Sequence, residues 1–581
     1  MPRAGLDRLR EGLPGWALDT LGVLVSLAFG LGLWGADRGA DSPLRPVDAP
    51  AWARMRDHLL EGPDAGAWAS NAVALWLGRP EDLDPHRLPI LPRLTALVLE
   101  VLPDIGLAGH LVNHAAHVAL GPVVYLLGSR WMGRGLALGA AVAAVTYPAG
   151  VMAADRYGID PLVAFALPLA LLAAEVGARR WWLAPLAGVV VGLASCTHLT
   201  TIGIGVPCVL LTLFRGAPGY RRWLGAVALA AGGLLGVGLA FVDYPVLPWG
   251  LLTGSLAEGV APASEHANEG ALAASMSSAL EIVRTGGPAA VERAVAFLVA
   301  TTRPAWVPWS VMLWLPWLGV LGWGLSRQRF DGQASVRLPG ISRVGLSRLA
   351  PLRGVGVGIA LALALVPLLA FAAAASPTRY SHNYYPLGVL LLFRGLAVPV
   401  QLVEQALARW APKLLHGALG LVVAAGVVYG TRTPRLILGP LSMQPDTGEV
   451  ADWRLGAVLA AHFPPGGGAA CLRREVVAYA GRVFCPHTPG FEYSREDEPV
   501  RAHLDAECGG EGPVPYVVLS GVADGASDAR RRMDAWVEAN TPLLETVVDA
   551  RYTAKVYAVE RPGDASAPRR DTPSAPEPAS P

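Results

Sequence analysis

Stretches of about 20 predominantly apolar residues, the length of a helix that crosses a bilayer, recur from the N-terminus to residue 430. Few features constrain a fold more. Within the hydrocarbon layer each backbone N–H and C=O must be paired inside its own segment, which leaves the helix as the element available to such a run. The first stretch, Trp16 to Trp34, follows Arg3, Arg8 and Arg10 and is not followed by a small-residue cleavage site. It therefore reads as a retained helix rather than a signal peptide. Further spans are expected near 106–127, 135–153, 160–177, 183–197, 199–214, 223–243, 305–325, 355–375, 384–403 and 415–430. The pair 183–197 and 199–214 is short, and its division stays open.

Composition agrees with a membrane setting. The chain has 581 residues, 53% of them hydrophobic and 16% charged, with a mean hydropathy of +0.40, too apolar for an ordinary soluble protein. A net charge of +1 and the lack of a Lys/Arg tract speak against nucleic acid as a partner. Lysine occurs only at Lys413 and Lys555. With Ala, Gly and Pro abundant as well, this arginine bias reflects a GC-rich genome and is not by itself evidence for phosphate recognition.

Arginine placement sets the expected orientation. Arg130/Arg134, Arg179/Arg180, Arg215/Arg221/Arg222 and Arg327 through Arg353 mark cytoplasmic loops. They alternate correctly with an inside N-terminus, giving about eleven spans and a C-terminus outside. Two outside loops are long, 36–105 and 244–304, and Trp249, Trp306 and Trp309 border the second. Beyond Thr431 the texture changes. Helical patterns over Val450–His462 and Ala529–Asn540 alternate with strand patterns over Tyr516–Ser520 and Ala554–Glu560. The expected fold is thus a polytopic α-helical membrane domain, 1–430, and a small extracytoplasmic α/β domain, 431–561. A Pro/Ser/Ala-rich tail, 562–581, is expected to be disordered.

Cys196 and Cys208 fall in spans and read as packing residues, while Cys471, Cys485 and Cys508 fall in the outer domain, where oxidation is open to them. Three cysteines allow one disulfide. Cys471–Cys485 is the expected pair, because the two are close and flank a strand-like stretch. No Cys/His spacing resembles a zinc site.

Groups able to do chemistry gather on the outer side. The first loop supplies Asp37, Asp41, Asp48, Asp57, His58, His86, Arg87 and Arg93; later ones supply Asp155 through Asp160, His198, and Pro377 through Pro386. On the inner face arginine is expected without acidic partners. Asp48 heads an amphipathic segment with Trp52, Met55 and Leu59 on its apolar face, and it reads either as that helix's N-cap or as a catalytic base. The readings are compatible, because capping hydrogen bonds keep a carboxylate ionised. Asp160, before Pro161, has the same two readings. His110, His114 and His117 share a helix face, where packing is the plainer reading than a metal, since no acid or cysteine lies nearby.

A series of segments now lines up: Asp48 in its loop helix, His86-Arg87-Leu88-Pro89, Tyr125 through Arg130, Asp155 through Asp160, Leu186 through Ala194, and Arg379-Tyr380-Ser381-His382-Asn383-Tyr384-Tyr385. Over roughly 15–430 this order resembles the GT-C glycosyltransferases of the protein-mannosyltransferase and lipid A aminoarabinose-transferase type. The resemblance implies a bacterial inner-membrane enzyme that moves a sugar from a polyprenyl-phosphate donor to a lipid, glycan or protein acceptor outside the cytoplasm. It makes Asp48 the base, Asp160 the second acid, and His198, Arg379 and His382 the contacts of the donor phosphate. Substrate binding falls to His86, Arg87, Tyr380 and Tyr384. Where many relatives carry two adjacent acids, this chain has Asp48-Ala49, which leaves acceptor class and any divalent cation open. The chemistry fits, since displacing a polyprenyl phosphate needs a carboxylate near the acceptor and cations on the leaving group. Two other classes stand beside it, a transporter or flippase of lipid-linked material and a non-catalytic envelope scaffold. The nearly uncharged spans and the lack of internal repeats disfavour the transporter.

Overall fold

The computed structural model describes residues 15–38, 58–60, 63–84, 87–154, 156–216, 219–244, 385–390, 393, 447–484, 508, 512–520, 528–548 and 552–560. Among them four helices are long and apolar enough to cross a bilayer: α1 (Gly15–Arg38), α4 (Ile105–Met132), α7 (Asp160–Arg179) and α10 (Tyr220–Ala240). The chain is an integral, helical membrane protein. Shorter apolar helices fill the gaps: α5 (Arg134–Val145), α6 (Pro148–Ala154), α8 (Ala184–Ser195) and α9 (Gly205–Arg215). Each expected span up to residue 243 thus has a helical counterpart. The 135–153 span is divided at Thr146-Tyr147 into α5 and α6, and 199–214 begins as a 3-10 turn, Leu199–Ile204. The expected spans at 305–325, 355–375 and 415–430, most of 384–403, the helix headed by Asp48 and the tail 562–581 lie outside the described residues.

The long first loop is itself folded. It contains α2 (Pro63–Trp76) and α3 (Ile90–Leu99), joined through a short 3-10 turn, Pro80–Asp82. Trp68, Ala69, Ala72 and Val73 of α2 and Leu91 and Leu99 of α3 are buried in the same core as α4 and α7. Burying these side chains against the bundle, at about 25 cal/mol per Å2 of apolar area, is what holds the loop down.

Helix packing in the bundle depends on small residues. Gly188 and Gly192 of α8 face Gly232 and Gly236 of α10, so the two backbones nearly touch. A Cβ on Gly192 would lie 2.2 Å from the Gly233 carbonyl oxygen, and one on Gly232 would lie 2.0 Å from that of Pro185. In lipid, where burial of apolar surface cannot drive helices together, such close approach supplies the van der Waals contact that does. The outward face of α10 is apolar, with Val227, Leu234, Leu235 and Leu239 exposed, as a bilayer requires.

The C-terminal part forms an α/β unit. Helix α11 (Thr447–His462) leads to β1 (Gly468–Ala469), α12 (Arg474–Tyr479) and β2 (Val483–Phe484), then β3 (Val514–Ser520), α13 (Asp528–Asn540), β4 (Leu543–Val548) and β5 (Thr553–Val559). Strands β1 and β2 are parallel; β3, β5 and β4 are antiparallel in that order, and an Ala470–Tyr516 bridge joins the two sets. Alternation along β3 and β5 sends Val517, Ala554 and Val556 against Leu455, Leu459, Val476 and Val477, and Tyr516, Val518 and Tyr557 against Met533 and Val537 of α13. Both faces of β3 and β5 are therefore covered.

The expected Cys471–Cys485 bridge does not form. Cys471 is a buried thiol without a disulfide, packed in this core, as are Cys196 and Cys208 in theirs, whereas Cys508 is disulfide-bonded. The face expected to be inner also differs from expectation, since acidic partners do occur there. Asp19 pairs with Arg134 at 2.7 Å, and Glu175, fully buried near the end of α7, meets Arg215 at 3.1 Å. The spans are accordingly less free of charge than their hydropathy implies.

Candidate functional site at the covered end of the bundle

One end of the bundle lies under the C-terminal unit, and the polar side chains of the first loop collect there. Asp104 caps α4, accepting a 2.8 Å hydrogen bond from the Leu107 N–H. Its other carboxylate oxygen lies 2.6 Å from His58 Nδ1. The backbone after His58 is clamped from three sides. Gly106 leaves room for the His58 carbonyl, which would lie 2.1 Å from a Cβ at that position. Nε2 of His110 donates to the Leu59 carbonyl at 3.1 Å, and the Leu60 N–H donates to the Tyr479 hydroxyl of α12. The chain that leads from Asp48 therefore arrives at a fixed seat between α4 and the C-terminal unit.

The loop that leads to Asp160 is equally well held. The Asn113 side-chain amide donates to the Arg156 carbonyl, and the buried Tyr157 hydroxyl donates to Thr95 of α3 at 3.2 Å. The Tyr157 ring lies over Gly109, where a Cβ would come within 2.2 Å of it. Burial raises the Tyr157 phenol above its ordinary value, against a smaller opposing effect of Thr95, and the group stays a neutral donor. Ile159 takes the cap position of α7 and Asp160 is its first residue, half-buried. An anionic side chain in a first helical turn is stabilised by the helix dipole.

Two arginines of the first loop are fixed by aromatic rings. Arg87 stands 5.4 Å over Trp68, and Arg93 stands 5.7 Å over Tyr244 while its Nε donates to the Ala240 carbonyl at 3.1 Å. Asn71 pairs with both backbone groups of Asp84, at 2.8 and 3.0 Å, which aims the Asp84 carboxylate at Arg474 Nη1, 2.7 Å away. His198 is half-buried just after α8, and its backbone N–H donates to the Thr201 hydroxyl at 3.1 Å. Cys196, two residues before it, packs in one cluster with Leu88, Tyr244 and Val483. The segments that carry Arg87 and His198 are thus brought to the same end.

Of the residues singled out from the sequence, Asp160, Arg87 and His198 are accounted for in this way. Asp48, His86, Arg379, Tyr380, His382 and Tyr384 lie outside the described residues. Tyr385, directly after that last segment, is buried and stacks on Tyr147 with centroids 4.3 Å apart. The three histidines of α4 do not converge: His110 serves the Leu59 carbonyl, His114 stacks on Trp34 at 5.6 Å, and His117 donates to the Val145 carbonyl at 2.9 Å. Among the described residues no three His, Cys, Asp or Glu side chains are grouped to hold a metal ion.

No protein-family model matches the chain, and no curated protein matches it. Solved structures do. The chain is similar to ArnT from Cupriavidus metallidurans bound to undecaprenyl phosphate, at 15% identity and a TM-score of 0.45, over 92% of this chain and 97% of that one. The apo state of the same ArnT matches at 17% identity and a TM-score of 0.44, over 87% and 96%. An Archaeoglobus fulgidus oligosaccharyltransferase in complex with zinc and sulfate matches at 14% identity and 0.46, over 79% and 61%. ArnT, a lipid A aminoarabinose transferase, and the oligosaccharyltransferase are GT-C fold enzymes.

Sequence reasoning did not find the contribution of the C-terminal unit. Arg474 and Tyr479 reach the first loop from about 400 positions away, and a single sequence carries no signal for such a pairing. It also passed over the His58–Asp104 pair. Asp104 just before an apolar helix is a recognisable N-cap, and that was the usable signal.

Proposed function

We propose that the chain is a membrane glycosyltransferase that takes a sugar from a polyprenyl-phosphate donor and passes it to an acceptor outside the cytoplasm of a bacterial cell. The observation that carries this reading is the seat at His58–Leu60. The stretch headed by Asp48 ends there, held by the first turns of α4 and by Tyr479, at the end of a lipid-embedded bundle that the C-terminal unit covers. A donor whose tail stays in the bilayer presents its phosphate at that depth.

In this reading Asp48 takes the proton of the acceptor hydroxyl. The hydroxyl oxygen attacks the anomeric carbon, and the carbon–oxygen bond to the donor phosphate breaks with both electrons leaving on the phosphate. Asp160 is the second acid, and His198, Arg379 and His382 offset the charge on the departing phosphate. His86, Arg87, Tyr380 and Tyr384 contact the sugar and the acceptor. The C-terminal unit, 431–561, lies outside the cytoplasm and excludes water from the reacting groups. The likeness to ArnT and the oligosaccharyltransferase agrees with this class of chemistry but does not carry it.

The test compares the lipid-linked sugars and envelope glycans of cells with and without the gene. Loss of the gene is expected to leave one polyprenyl-phosphate sugar accumulated and one glycosylated product missing. Unchanged pools of both contradict the proposal. A lipid-linked sugar that reaches the outer leaflet only when the gene is present favours the flippase instead.

A further inference from the structure

At the opposite end of the bundle, α4, α7 and α9 gather arginines around one buried acid, and α10 begins beside them. Glu175 is fully buried and accepts from Trp131 Nε1 at 2.7 Å. Arg215 Nε lies 3.1 Å from one of its oxygens and Arg179 Nε 3.8 Å from the other. Arg130 interacts electrostatically with both Glu175 and Arg179. Arg222 stands beside the end of α9, where a Cβ on Gly216 would lie 3.0 Å from its own Cβ. Three guanidinium groups thus surround one carboxylate, with Arg222 at the adjoining end of α9, while Asp19 is engaged with Arg134.

Two of those donors are buried and unmet. Among the described residues, Nε of Arg130 and Nε of Arg222 meet no hydrogen-bond acceptor. An unpaired buried donor on a charged group is costly, so these N–H groups favour an anionic acceptor at this place. Its depth is set by three exposed indoles at the same end, Trp181 at 40%, Trp182 at 61% and Trp223 at 58% exposure, with the Arg222 guanidinium 5.8 Å over the Trp223 ring. Exposed tryptophans at the ends of apolar helices mark the headgroup layer.

We propose that Arg130, Arg179, Arg215 and Arg222 bind the headgroup of an anionic membrane phospholipid. Basic pockets between transmembrane helices hold such headgroups, and the planar fork of a guanidinium matches two phosphate oxygens at once. The excess of positive charge selects a phosphodiester without a balancing amine. Glu175 holds the arginines together against their mutual repulsion. The site is independent of the transferase reading, because it lies at the other end of the bundle.

The test is native mass spectrometry of the full-length protein in detergent, with phosphatidylglycerol and phosphatidylethanolamine of identical acyl chains. The wild type is expected to retain phosphatidylglycerol at concentrations where phosphatidylethanolamine is lost. Arg222→Gln should weaken phosphatidylglycerol about fivefold, and Arg130→Gln/Arg222→Gln about 25-fold, from the usual contribution of one basic side chain near an anionic lipid. Arg215 is left in place because it pairs with Glu175. Unchanged phosphatidylethanolamine adducts in the variants report an intact fold, and excess inorganic phosphate should not displace the lipid. Equal retention of both lipids by the wild type, phosphatidylglycerol binding unaltered in both variants, or displacement by phosphate overturns the proposal.

Discussion

Arg474 Nη1 donates to Asp84 Oδ2 at 2.7 Å, joining groups 390 positions apart. Both side chains are about four-fifths buried, at 23% and 20% exposure. Removing one partner leaves the other charge desolvated, a loss of about 1–3 kcal/mol. Asp84→Asn and Arg474→Gln should each lower the thermal stability of the detergent-solubilised protein and speed proteolytic release of the C-terminal unit. The double variant should lose less than the sum, because the second change removes the charge that the first stranded. Fully additive losses would mean that the contact does not hold the unit to the first loop.

Gly106 is the position where the seat of His58 is most sensitive. A methyl group there would lie 2.1 Å from the His58 carbonyl oxygen, a backbone atom unable to rotate away. Gly106→Ala should displace the 58–60 segment at a cost of about 1–3 kcal/mol. Glycan output is expected to fall more than the amount of folded protein in the membrane. Equal output per folded molecule would separate this seat from the activity.

Glu475 makes the C-terminal unit sensitive to pH. The side chain is 6% exposed beside Gly66 of α2, and burial raises its pKa above the ordinary value near 4.5, with Asp452 adding to the shift and Arg473 and Arg474 opposing it. A raised acid is bound more tightly to its proton in the folded state. Its stability contribution is therefore complete below about 4.5 and is lost as pH rises through the folded value. Glu475→Gln should flatten that segment of the stability-against-pH curve and raise the melting temperature at neutral pH. A curve of unchanged slope would exclude Glu475 as its source.

The partner of Cys508 is open to direct mapping. Cys508 is disulfide-bonded, whereas Cys196, Cys208 and Cys471 are not; Cys485 lies outside the described residues. Non-reducing peptide mapping should recover a Cys485–Cys508 peptide, and Cys508→Ser should cost about 3 kcal/mol in the chain-entropy account. A Cys471-containing disulfide peptide would contradict the assignment.

Apolar length made the first seven expected spans legible as helices, because a bilayer imposes a minimum apolar run. The same reading overlooked α2 and α3, whose apolar faces are too short to register as spans and are buried by the bundle. Alternation revealed β3 and β5, each covered on both faces. It failed for β4, which is exposed along most of its length and so lacks a pattern of burial. Glu175 was passed over because one acid in a 20-residue apolar run hardly alters its hydropathy, although an intramembrane carboxylate four residues before Arg179 is itself a signal. Asp160 and Arg87 were legible as chemistry-bearing types. The partners that fix their surroundings, Asn113, Thr95 and Trp68, were not, since they come from other helices.

The most direct test of the transferase account is the Asp48→Asn variant, expressed in cells that lack the wild-type gene. Asparagine caps a helix about as well as aspartate, so folding and membrane insertion should be normal. It cannot accept the acceptor's proton, and loss of a general base lowers the rate by roughly 10²–10⁴-fold. The account predicts wild-type amounts of protein with little or no glycosylated product. Wild-type glycan output from Asp48→Asn would contradict it and leave Asp48 as a helix cap.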